Sequence, residues 1–152
     1  MWSFDKPVII KNTSKLRANS FGFYALNGNS VIDFKERSTK EHVCDFLSTI
    51  KNSNNGKRIV IVLDNFRSHK AKDTLKFAME NNIELVYLPP YSPDLNPIEF
   101  IWKNVKRVIS CNFVHDVEHM RDMIAAEFMK CSSEISFAKN GYKSSWEINY
   151  KS

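Results

Sequence analysis

Two short apolar runs, one helix apart, constrain the fold of this chain more than any other feature. Ile59 to Leu63 (IVIVL) is β-branched except at its last residue and ends abruptly in Asp64 and Asn65. A short run of this kind between polar residues is a strand buried on both faces. Ile83 to Leu88 (IELVYL) follows after a helical stretch, so the pair forms a β-α-β unit of parallel-sheet type. Pro89, Pro90, Pro93 and Pro97 then fall within nine residues, a density that no helix interior or central strand accommodates. A helix begins directly beyond this rigid loop, with Glu99 in its first turn. Asp64 thus stands at the carboxyl end of a buried strand, where open α/β sheets place ligands.

The flanking chain supplies further elements. Met1 to Asn19 is polar and poorly periodic, with Val8, Ile9 and Ile10 as its apolar cluster. Two runs, FGFYAL and VIDF, flank Asn27-Gly28, a strong hairpin signal. Ser38 and Glu41 have capping-box spacing, and Val43, Phe46, Leu47 and Ile50 follow at helical intervals. Asn52 to Gly56 reads as the turn that closes this helix. Ile98, Ile101, Trp102, Val105 and Ile109 make one buried stripe of the helix after the prolines, with Glu99, Lys103 and Lys106 together on another flank. Asp116 is placed to cap a last helix whose inward positions are Val117, Met120, Ile124 and Phe128. The expected order is hairpin, helix, strand, helix, strand, helix, helix, in one domain spanning residues 1–152.

Composition narrows the class. The chain has 152 residues, enough to bury a core, with 43% hydrophobic and 26% charged residues. No apolar segment approaches a membrane span and no signal peptide is visible. Cys44, Cys111 and Cys131 are odd in number and unpaired in pattern, which favours reduced thiols in a cytosol. A net charge of +5 permits a polyanionic partner without requiring one.

The block LDN…H…LPPYSPDLNPIE…W…KR, with 34 residues between Asp64 and Glu99, resembles the catalytic core of DDE transposases of the mariner superfamily and related prokaryotic insertion sequences. PPYSPDLNPI before a correctly spaced acid is far more specific than an isolated acidic pair. The resemblance implies an α/β, ribonuclease H-like mixed sheet with flanking helices, in which Asp64 is the second catalytic Asp and Glu99 the third acid. It further implies metal-dependent DNA cleavage and strand transfer in a prokaryotic cytosol, at the nucleoid. The partners are then transposon ends and target DNA. Two Mg²⁺ (or Mn²⁺) ions would be held by Asp64 and Glu99, since hard cations prefer oxygen ligands.

Each residue also has a plainer interpretation. An Asp after a strand is commonly a turn residue, and a Glu in a first turn suits the helix dipole or pairs with Lys103 at i,i+4. Asn65 either holds a metal-bound water or orients Asp64; His69 either touches the scissile phosphate or caps a helix. Arg67, Lys70, Lys72, Lys103, Lys106 and Arg107 lie around the two acids, and together with Asn65 and His69 they are candidate DNA contacts. Trp102 belongs to the apolar stripe rather than to a base-stacking platform. His115 and His119 have metal-ligand spacing but no third ligand in view, so a solvated helix face is the better account.

The chain departs from the family in two respects. It lacks the N-terminal helix-turn-helix, and the first catalytic Asp, with the central strand that carries it, falls before the segment matched from Trp2. Asp5 lies too near that match and Asp33 on the second hairpin arm, so neither replaces it. The expectation is a C-terminal portion of a transposase core, either truncated or the downstream half of a split enzyme. Its sheet would lack the first strand, and the chain alone would be poorly soluble or dimeric. The alternative is an inactive remnant that only binds DNA or interacts with transposase. Ribonuclease activity on RNA–DNA hybrids, from fold analogy alone, ranks last.

Overall fold

A computed structural model of the chain describes residues 2–11, 16–26, 28–63, 71–89 and 98–134, with backbone alone for 2–9 and 11. Among the described residues five strands and four helices follow one another as β1 (Trp2–Lys11), β2 (Arg17–Ala25), β3 (Val31–Phe34), α1 (Lys40–Ser53), β4 (Ile59–Leu63), α2 (Lys72–Glu80), β5 (Ile83–Tyr87), α3 (Ile98–Cys111) and α4 (Val117–Ser133). The strands form one sheet in the order β3-β2-β1-β4-β5. β1 to β3 are an antiparallel meander, while β4 runs parallel to both β1 and β5.

The expected gap in the sheet is not there. Trp2–Lys11 fills the central lane, pairing with β2 from Ser3↔Ala25 to Lys11↔Arg17 and with β4 from Trp2↔Val60 to Asp5↔Leu63. Its sequence lacks strand periodicity, but ladder partners on both sides at residues 3–5, and on the β2 side as far as Lys11, satisfy the backbone groups that decide whether a segment joins a sheet. The edges of β2 and β4 that a missing strand would have exposed are therefore paired with β1 over these ladders.

Alternation along the strands sorts the core into two layers. Ile59, Ile61 and Leu63 of β4 and Phe21 and Phe23 of β2 pack against Val43, Phe46, Leu47 and Ile50 of α1 and Ala78 of α2. Val62, Tyr24 and Ile10 join Ile98, Ile101, Trp102, Val105 and Ile109 of α3 and Met120, Ile124 and Phe128 of α4 on the other face. All five residues of β4 are buried, as a parallel strand covered by helices on both faces requires. Burial of the five α3 side chains contributes on the order of 10 kcal/mol before entropy is counted.

Helix ends differ in detail from the local signals. Thr39, not Ser38, is the N-cap of α1, and its hydroxyl lies 2.8 Å from His42 Nδ1. Ser38 instead donates to Asn19 Oδ1, tying the start of the helix to β2. α1 continues to Ser53, one residue past the start of the expected turn. Asp116 caps α4 as its sequence suggests, accepting the His119 N–H at 2.7 Å. Beyond α2, Asn82 adopts φ 56°, a left-handed conformation that Asn tolerates after a helix.

Candidate active site

β4 leads towards the first acid. Its last residue, Leu63, accepts the backbone N–H of Leu88 at 2.8 Å, which fastens the exit of β5 to the exit of β4. Asp64 is the next residue. It lies with Asn65, Arg67, His69 and Lys70 outside the described residues.

The second acid is set by α3. Ile98 and Ile101 are fully buried, and Trp102 is 1% exposed. These three fix the inward face of the first helical turn, which leaves Glu99 half-buried at its margin. Ile98 and Ile101 share one core cluster with Val62 and Leu88. The exits of β4 and β5 and the first turn of α3 are therefore packed together. Lys103, Lys106 and Arg107 are exposed along the outer side of the same helix. Trp102 is part of the core, not a platform for a base.

The two other acids weighed from the sequence are separated by the sheet order. Asp33 is on the edge strand β3, three strand spacings from β4, or about 14 Å. Its carboxylate accepts the Phe34 N–H at 2.8 Å and pairs with Lys35 at 3.0 Å. Asp5 is on the strand beside β4, in the ladder row of Leu63. Leu63 packs on the α1 layer, whereas Val62 packs on the α3 layer that carries Glu99. The register of β1 thus sets the Asp5 backbone beside a β4 residue of the α1 layer rather than of the α3 layer. This distinction depends on register and was not accessible from sequence spacing.

His115 and His119 do meet, with ring centroids 5.0 Å apart and planes tilted by 41°: the His115 backbone N–H donates to His119 Nδ1 at 3.1 Å, and Phe113 lies edge-on against His115. One imidazole nitrogen is thereby occupied. Among the described residues no group of three or more His, Cys, Asp or Glu side chains could hold a metal ion. Glu99 offers carboxylate oxygens at the first turn of α3, the donor type that a hard divalent cation prefers. Among the described residues no helix is long and apolar enough to cross a membrane.

The family model described as DDE superfamily endonuclease matches residues 5–128. An insertion element IS630 uncharacterized 39 kDa protein of Shigella sonnei is 30% identical over 88 residues, covering 56% of this chain and 25% of that protein. The chain spans between about a fifth and under half of the curated relatives it matches. The catalytic domain of Mos1 mariner transposase superposes with a TM-score of 0.60 at 14% identity, covering 93% of this chain and 82% of that one. A further structure of the Mos1 domain is described with raltegravir and Mn. The catalytic core of BIV integrase superposes with a TM-score of 0.63 at 10% identity, covering 98% and 97%. These likenesses place the sheet and its helices in the ribonuclease H-like fold of transposase and integrase catalytic domains.

Proposed function

Because this chain belongs to the DDE superfamily endonucleases, we propose that it is the C-terminal portion of a transposase catalytic core that cuts and joins DNA in transposition. The observation that carries this is the shared packing of Val62, Leu88, Ile98 and Ile101, which brings the exits of β4 and β5 to the turn bearing Glu99. Asp64, directly after β4, and Glu99 would hold divalent metal through hard oxygen donors. Bound Mg²⁺ or Mn²⁺ stabilises negative charge on the attacking and leaving oxygens of a phosphodiester. The chain's own part is to fix the two carboxylates on rigid elements and to line up phosphates along Lys103, Lys106 and Arg107. Asn65, Arg67, His69 and Lys70 flank Asp64 in sequence and would add cationic and polar groups for DNA. Such a protein works on chromosomal DNA in the cytosol.

A second reading is favoured by the row that Asp5 occupies. If the central strand brings no carboxylate to the α3 face, the site rests on two acids and binds metal weakly. The chain would then act as a DNA-binding fragment, as one subunit of a dimer, or beside an upstream transposase half that completes the site. Titrating Mg²⁺ and Mn²⁺ into the purified chain with a nicked oligonucleotide decides between them. Parent protein is compared with Asp64→Ala, Glu99→Ala and Asp5→Ala. Cleavage lost in the first two variants and kept in the third supports an active two-acid site. DNA binding without cleavage at any metal concentration supports the fragment.

A further inference from the structure

We infer that Gly22 is a positioning residue for Glu99, acting through Trp102; the inference rests on the reading of Glu99 as a site acid. Gly22 lies on β2, where the flanking even-numbered residue Tyr24 faces the α3 and α4 layer. A Cβ at this position would come within 2.6 Å of Trp102 Cζ2 and 2.6 Å of Phe128 Cε2, with Phe128 Cζ at 2.9 Å. Neither ring is a flexible tip. Both are fully buried and lie against each other, with centroids 5.2 Å apart and planes tilted by 40°. α3 therefore reaches the sheet at a spot where only hydrogen stands between backbone and indole.

The contact bears on the acid because of helix geometry. Trp102 follows Glu99 by three residues, just under one turn and about 4.5 Å along the axis. A helix is stiff over that distance, so any displacement of the indole is passed to the first turn almost undiminished. Adding a methyl group at Gly22 would force the rings back by about 1 Å to restore ordinary contact. A displacement of that size at a reacting group costs on the order of 100-fold in rate. The closeness of α3 to β2 at Gly22 thus sets how far Glu99 stands from the exit of β4.

The test uses the full chain, ¹⁵N-labelled, with Mn²⁺ as the probe. Gly22→Ala is expected to keep its helical circular dichroism, to weaken Mn²⁺ binding at least tenfold, and to shift the Glu99 backbone amide. Adding Phe128→Leu, which makes room on the α4 side, should return both to within about twofold of the parent. Mn²⁺ affinity and the Glu99 amide both unchanged in Gly22→Ala, with only the melting temperature lowered, would overturn the inference. Should Gly22→Ala not fold, Trp102→Phe lifts the same ring edge from Gly22 and is judged by the same two outcomes. If the parent binds no Mn²⁺, or Glu99→Gln binds it equally, the functional reading fails instead. The displacement of the Glu99 amide then decides the positioning role by itself.

Discussion

The side-chain amide of Asn54 holds the backbone of Asn29 from both sides, accepting its N–H at 2.8 Å and donating to its carbonyl at 3.0 Å. Asn54 is 3% exposed and also donates to the Ile50 carbonyl at 3.0 Å. The end of α1 and the β2–β3 loop are thereby joined by one residue. Asn54→Ala removes these bonds at a cost of about 2–3 kcal/mol. For a chain of this size the melting temperature should fall by roughly 5–10 °C, which thermal unfolding followed by circular dichroism will show. A fall below 2 °C would mean that water replaces the amide without loss.

Cations on α3 predict a particular salt dependence. Lys103, Lys106 and Arg107 are exposed on the helix that carries Glu99. If each neutralises a phosphate, replacing all three by Ala lowers the slope of log K against log salt by roughly 2–3 on duplex DNA. Affinity measured between low and moderate salt tests this. An unchanged slope would remove the α3 flank from the DNA path.

Among the described residues the indole of Trp102 has no hydrogen-bond partner for Nε1 although it is buried. A buried orphan donor costs about 1–3 kcal/mol, so removing it offsets much of the packing lost with the smaller ring. Trp102→Phe should therefore cost only about 1 kcal/mol in urea denaturation, while Phe128→Ala in the same cluster should cost about 3–5 kcal/mol. A loss above 3 kcal/mol for Trp102→Phe would indicate that the N–H is satisfied in solution.

Burial pushes the Cys131 thiol up to about 11, with Glu127 adding to the effect. The unfolded thiol titrates near 9, so its contribution to stability is complete below pH 9 and falls as pH rises towards 11. Cys111 is exposed and Cys44 partly so. Alkylation of the native chain at pH 8, mapped by mass spectrometry, should modify Cys111 first and Cys131 only on unfolding. Early modification of Cys131 would show that α3 and α4 separate readily.

Much of the architecture was legible because burial left direct marks on the sequence. The unbroken run Ile59–Leu63 is what a strand covered on both faces demands, and the stripe from Ile98 to Ile109 is what one helix face against a sheet demands. The proline loop announced the abrupt start of α3, and with it the place of Glu99. The central strand left no such mark. Trp2–Lys11 carries Asp5, Lys6 and Pro7 in its middle and joins the sheet through partners near residues 20 and 60, so its pairing is a property of the whole sheet. The cap of α1 shifted by one residue because Asn19 competes for the Ser38 hydroxyl. Gly22 gives no local sign of its role, since the rings that exclude a side chain there come from residues 102 and 128.

The lane filled by β1 also orders assembly in time. Its ladder with β2 is made between segments close in sequence, so the three-stranded meander closes as a local event. Its ladder with β4 joins residues 2–5 to residues 60–63 and must await the synthesis and arrival of IVIVL. Until then the flank of β1 at residues 2–5 is open. A ribosome that pauses before residue 60 would hold an adhesive strand unpaired, and the interval before β4 docks is when this chain is most exposed to pairing with the wrong partner.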